Sequence, residues 1–165
     1  MRFTYCPQCG EKLVLRVIGD EGEIPYCERC KVPRWDLFTT SVICAVVNEQ
    51  NEIALLRQDY VSTSNLVCIA GIMKAGERAE DTVAREVMEE VGVQVQSMEY
   101  ISSYAYPQKD MLMLGFLVRV KKSELVLSQE VDSARWVKLT DAPALLRQGG
   151  IAYQLVTAVI DMLQA

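Results

Sequence analysis

The chain has 165 residues, half of them hydrophobic and 24% charged, with a formal net charge of −5. That length supports one domain of ordinary size, or a domain with a small appendage, and a core that needs no disulfides. The acidic balance speaks against a general duplex-DNA binder. Six cysteines and no histidine exclude Ser-His-Asp and Cys-His catalysis, histidine metal sites and a histidine base.

The N-terminus carries no apolar run of the signal-peptide kind, and the longest apolar stretch, 111–118, is too short to span a bilayer. The expectation is a cytoplasmic protein without a membrane partner, in which paired cysteines read as metal ligands or redox groups before disulfides. Cys6-Pro-Gln-Cys9-Gly10 and Cys27-Glu-Arg-Cys30 form two C-x2-C units. Their spacing points four thiolates at one closed tetrahedral site, a structural Zn2+ ribbon. Strands over 13–18 and 23–26 flank Gly19-Asp-Glu-Gly22 as a hairpin between the two knuckles. Pro33 marks the junction with the rest. The expected division is a ribbon over 1–36 and a larger domain over 37–165.

Beyond the junction the pattern predicts strands over 40–47 and 52–57 around the turn Asn48-Glu-Gln-Asn51, then a strand over 65–72. A helix follows over 80–91, stopped by Gly92. Strands over 95–106, 111–121 and 134–138 come next. Asp141 caps a helix to Gln148, and Gly149-Gly150 separates it from a last helix over 151–163. The body is therefore a mixed α+β domain. Cys44 and Cys68 fall in apolar strands and read as core residues, and Trp35 and Trp136 as packing residues.

At 3.6 residues per turn, Glu86, Glu89 and Glu90 stand at i, i+3 and i+4 within an arc of about 100°. Val83, Ala84, Val87, Met88 and Val91 are expected on the opposite, packing side, and Arg85 braces Glu89 from i−4. Clustered carboxylates repel unless a cation sits among them, and hard oxygen donors favour Mg2+ or Mn2+. Such a cation grips a diphosphate and lowers the pKa of a bound water.

Gly71, Glu77, Arg85, Glu86, Glu89, Glu90 and Gly92, with a following aliphatic residue, match every fixed position of the Nudix box, G-x5-E-x7-R-E-U-x-E-E-x-G-U. The chain thus resembles the Nudix hydrolases. The resemblance implies an α/β/α sandwich and hydrolysis of a nucleoside diphosphate linked to another moiety. It implies Glu86 and Glu90 as the main metal ligands, Glu89 as a metal or water-orienting partner, Arg85 as its brace, Glu77 as a structural member and the Ala70 carbonyl as a further metal contact.

A four-cysteine ribbon directly before the box is similar to the NADH pyrophosphatase branch, which splits dinucleotides and removes NAD caps from RNA. Pro33-Arg34 resembles the junction of that branch. Glu130-Val-Asp-Ser-Ala-Arg-Trp136 resembles its downstream segment, which makes Glu130 a candidate extra ligand or base. The branch motif S-Q-P-W-P-F-P corresponds to Ser102-Ser-Tyr-Ala-Tyr-Pro-Gln108, where only the aromatic-proline pair is kept. Tyr104 and Tyr106 are candidate base-stacking residues. ADP-ribose, FAD and nucleotide sugars therefore stand beside NAD(H) as substrates, and a homodimer is a further implication of the resemblance. The reading from another class is a ribbon that binds RNA or protein beside a ligand-sensing Nudix domain.

Overall fold

A computed structural model describes residues 3–164 and divides the chain into two compact units, Met1–Phe38 and Thr39–Ala165. In the first unit, β1 (Val14–Val17), β2 (Glu23–Cys27) and β3 (Val32–Pro33) form an antiparallel sheet in that order. The turn between β1 and β2 needs positive φ at Gly19 and Gly22 (53° and 73°), which glycine adopts without a Cβ clash. Trp35 is 47% exposed and does not serve as the packing residue expected of it, because it follows β3 in chain with no regular pairing.

The second unit is built on one sheet of β4 (Thr39–Asn48), β5 (Glu52–Arg57), β6 (Ile69–Ile72), β7 (Val95–Tyr106), β8 (Met111–Val120) and β9 (Ser133–Lys138). Its path is β7-β8-β4-β5-β9, with β6 paired to β4. Strands β4 and β8 run parallel, and the other pairs are antiparallel. Alternation along β4 sends Val42, Cys44 and Val46 to one face and Ile43, Ala45 and Val47 to the other. Helix α1 (Ala79–Val91) covers the first face through Val83, Val87 and Val91. Helix α2 (Ile151–Gln164) covers the second through Leu155, Val156 and Val159. The sheet between two helical layers is the mixed α+β sandwich expected. Cys44 of β4 and Cys68, just before β6, are both buried in it, and Trp136 packs at its margin with its indole N–H donating to the Ser123 carbonyl at 3.0 Å.

Three local expectations are corrected. The strand expected over 65–72 pairs regularly only from Ile69. Before that, Leu66 and Val67 make isolated bridges to Leu146 and Leu56, because β5 already gives one edge to β9. The helix expected from Asp141 to Gln148 is a 3-10 segment, Leu139–Leu145, with Pro143 inside it, where an α-helical N–H would be missing. Met88 and Ala84 are exposed, whereas Glu90 is only 5% exposed. Seven residues make nearly two turns, so Glu90 shares the inward face with Val83 and Val87, and Met88 does not. Among the described residues, no helix is long and apolar enough to cross a membrane.

Candidate active site and metal centre

The first loop and the turn after β2 bring Cys6, Cys9, Cys27 and Cys30 together, with all four sulfurs within 4.8 Å of one another. Cys9 Sγ lies 3.5 Å from Cys27 Sγ, and Cys6 Sγ lies 4.0 Å from Cys30 Sγ. These separations bracket the ~3.8 Å tetrahedral edge that Zn–S bonds of about 2.3 Å require. Burial raises the Cys6 thiol, but the Gln8 and Cys9 backbone amides outweigh it and hold the group at about 6. The Cys30 thiol is pushed up to about 12, first by Cys9 and then by burial. Four thiols this crowded cannot all ionise without a cation, and the soft donor set fits Zn2+. Arg34 Nη2 donates to Cys6 Sγ at 3.1 Å and to Gln8 Oε1 at 2.9 Å, an outer clamp on one ligand.

In the second unit, the loop after β6 feeds α1. Glu77 accepts the Lys74 N–H at 3.0 Å and receives Arg85 through Nε at 2.7 Å and Nη2 at 2.9 Å. This fork holds the Glu77 carboxyl well below the usual carboxylate range. Arg85 also reaches Glu86 at 2.5 Å, Glu89 at 3.1 Å and the Ile72 carbonyl at 3.2 Å. It therefore braces Glu89, as expected, but its main partner is Glu77. The Glu86 carboxylate presses on Gly71 so closely that a Cβ there would collide with it. The glycine opening the box is needed for this approach.

Glu90 points inward. Its Oε1 accepts from the buried Gln58 Nε2 at 3.1 Å, while Oε2 is buried with no hydrogen-bond partner. Burial, reinforced by Glu86 and Glu130, raises its carboxyl to about 7 against the lowering pull of Gln58 and the Ala70 backbone. Burial likewise raises Glu86, with Glu89 adding to it and Arg85 opposing. A buried, unpartnered carboxylate oxygen next to a second raised carboxylate is a poor arrangement for the apoprotein and a good one for a hard divalent cation. Glu130 stands on an exposed loop whose Ser128 N–H lies 3.4 Å from the Glu90 carbonyl, and its charge acts on Glu90. Among the described residues no three carboxylates converge as tightly as the cysteines do; Arg85 draws Glu86 and Glu89 toward itself.

Tyr104 and Tyr106 lie elsewhere. Both rings pack against the apolar cluster under α2, and Tyr104 covers Gly115, so neither is brought to the glutamates. Sequence reasoning missed Gln58, Tyr60 and Asp132. Asp132 Oδ2 accepts the Asp59 N–H at 2.7 Å, and Tyr60 stands in the field of Glu90, Glu130, Glu86 and Asp132. No spacing rule connects these residues to a box that runs over 71–93.

The family model described as "NUDIX domain" matches residues 37–158, and the chain belongs to the Nudix family. It is 33% identical over 153 residues to the "NAD-capped RNA hydrolase NudC" of Pseudomonas aeruginosa, covering 92% of this chain and 54% of the relative. It is 30% identical over 163 residues to the protein of the same description from Photobacterium profundum, covering 98% and 60%. The chain thus spans little more than half the length of these relatives. Among solved structures, a NUDIX hydrolase from Nitrosomonas europaea superposes with a TM-score of 0.72 at 19% identity, covering 98% of this chain and 91% of that one. The NUDIX domain of Shewanella oneidensis NrtR complexed with ADP ribose superposes with 0.67 at 13%, covering 84% and 94%. Both share the fold.

Proposed function

We propose that the chain is a Mg2+- or Mn2+-dependent Nudix diphosphatase that cleaves a nucleoside diphosphate-linked substrate, foremost a dinucleotide such as NADH or NAD. The observation that carries this reading is Glu90: a buried carboxylate with one oxygen held by Gln58 and the other unpartnered, beside Glu86, in an unbroken box. Glu86, Glu90, the Ala70 carbonyl and, from the neighbouring loop, Glu130 are the groups that hold the cation. When bound, the cation supplies charge to the diphosphate and acidity to a water. Glu89, exposed and on the Arg85 fork, orients that water, and Glu130 is the candidate base. Glu77 and Arg85 fix the loop and helix so that Glu86 keeps its place over Gly71. The four cysteines hold one structural Zn2+.

The relatives described as NAD-capped RNA hydrolases support NAD-linked substrates, including NAD-capped RNA. The altered stretch from Ser102 to Gln108, whose tyrosines pack under α2, keeps ADP-ribose, FAD and nucleotide sugars in the comparison. The test is kcat/KM over NADH, NAD+, ADP-ribose, FAD, nucleotide sugars and NAD-capped RNA with Mg2+ and Mn2+. Preference for the NAD-linked compounds supports the reading; turnover of none of the panel overturns it.

A further inference from the structure

The loop after β5 is tied to the carboxylates on both sides. The Gln58 amide reaches Glu90, and the Asp59 N–H reaches Asp132, two residues beyond Glu130. The Asp132 N–H in turn donates to the Arg57 carbonyl at 3.0 Å. The Val61 and Ser62 N–H groups both close on the Gln58 carbonyl, at 2.8 and 2.9 Å, and Arg57 Nη1 donates to the Thr63 carbonyl at 2.9 Å. The loop is thus a built turn, and Tyr60 lies within it, next to Asp59 and two residues from Gln58.

Tyr60 is 72% exposed and the next residue, Val61, is also exposed. A ring this open adds little to the core, and its apolar face is left to solvent beside a polar site. Burial of the phenol edge, then the charges of Glu90, Glu130, Glu86 and Asp132, push its hydroxyl above the ordinary value.

We propose that Tyr60 is a specificity-determining residue, the platform on which a planar ring of the nucleoside moiety stacks while its diphosphate lies over Glu86 and Glu90. The proposal rests on the diphosphatase reading of this site. It moves the stacking surface from Tyr104 and Tyr106, which pack under α2, to a loop that joins Gln58 to Asp132. Base–aromatic stacking is sequence-tolerant, so the platform accepts a purine or a nicotinamide.

The test is equilibrium binding in Mg2+ of AMP, nicotinamide mononucleotide and ribose 5-phosphate, none of which has a diphosphate to cleave. Tyr60→Ala is expected to weaken at least one of the two nucleotides about tenfold while leaving ribose 5-phosphate unchanged. Tyr60→Phe is expected to keep most of the affinity. Nucleotide binding by Tyr60→Ala equal to the wild type overturns the proposal, as does an equal loss for ribose 5-phosphate or a wild type that binds neither nucleotide. NADH turnover by the wild type, measured separately, judges the diphosphatase reading: binding governed by Tyr60 without turnover keeps the platform and removes the enzyme.

Discussion

The side-chain amide of Gln58 donates to one carboxylate oxygen of Glu90 and leaves the other buried without a partner. That bond fixes which oxygen of Glu90 is free to meet a cation.

Replacing Gln58 by leucine removes the donor and keeps the volume. We expect the Mg2+ dependence of turnover to move to about 10- to 100-fold higher metal concentration, the usual scale for an outer partner of a ligand. Titration of activity against Mg2+ in the two proteins is the check, and superimposable curves count against the role.

Glu90 also predicts a pH dependence. Its folded pKa, about 7, is raised above the ordinary value of 4.5. The folded state therefore holds the proton more tightly, and the contribution to stability is fully present below about pH 4.5 and is lost as pH rises through 7. Metal-free protein is expected to lose on the order of 3 kcal/mol across that window. Added Mg2+ should restore stability most strongly at the upper end, and Glu90→Gln should flatten the metal-free profile. Thermal unfolding at a series of pH values, with and without Mg2+, measures all three.

The fork from Arg85 to Glu77 acts in the opposite direction. The Glu77 carboxyl is held low by Arg85, so its contribution is present above the ordinary value of 4.5 and is lost on acidification. Lysine cannot reproduce the two parallel bonds to Glu77. Arg85→Lys is expected to lower Tm by about 5 °C near neutral pH, with a smaller difference from wild type in acid, and to cut kcat/KM at least about tenfold. Equal Tm values at pH 7 would contradict the bracing role.

Gly71→Ala introduces a Cβ where the Glu86 carboxylate lies. The expected outcome is loss of Mg2+-dependent turnover, because the carboxylate or the strand must shift, with a far smaller loss for Ala75→Gly in the exposed loop that follows β6. Steady-state kinetics on both variants decides it.

Elemental analysis of reduced protein should find about one zinc per chain that survives mild chelation sufficient to strip Mg2+, since a four-thiolate shell is closed. Cys27→Ser should lose it. Zinc absent from freshly prepared reduced wild type contradicts the site.

Much of this was legible in the chain because the signals are local. The strand over Val95–Tyr106 has the bounds read for it, and the stop of α1 at Gly92 follows from a left-handed C-cap. The cysteine spacing placed four sulfurs together. The helix wheel erred at Glu90, which residue type alone puts outside and azimuth puts about 20° from Val83, on the inward face. Pro143 explains the short segment misread as an α-helix. Gln58, Tyr60 and Asp132 were invisible because their meaning arises only when β5 and β9 pair and carry two loops to the end of α1.

The most direct measurement is Mg2+-dependent release of mononucleotide from NADH by wild type and Glu90→Gln. The account predicts release by the wild type and a fall to background in the variant with its far-UV circular dichroism unchanged. A folded Glu90→Gln variant that turns over as the wild type does would contradict it.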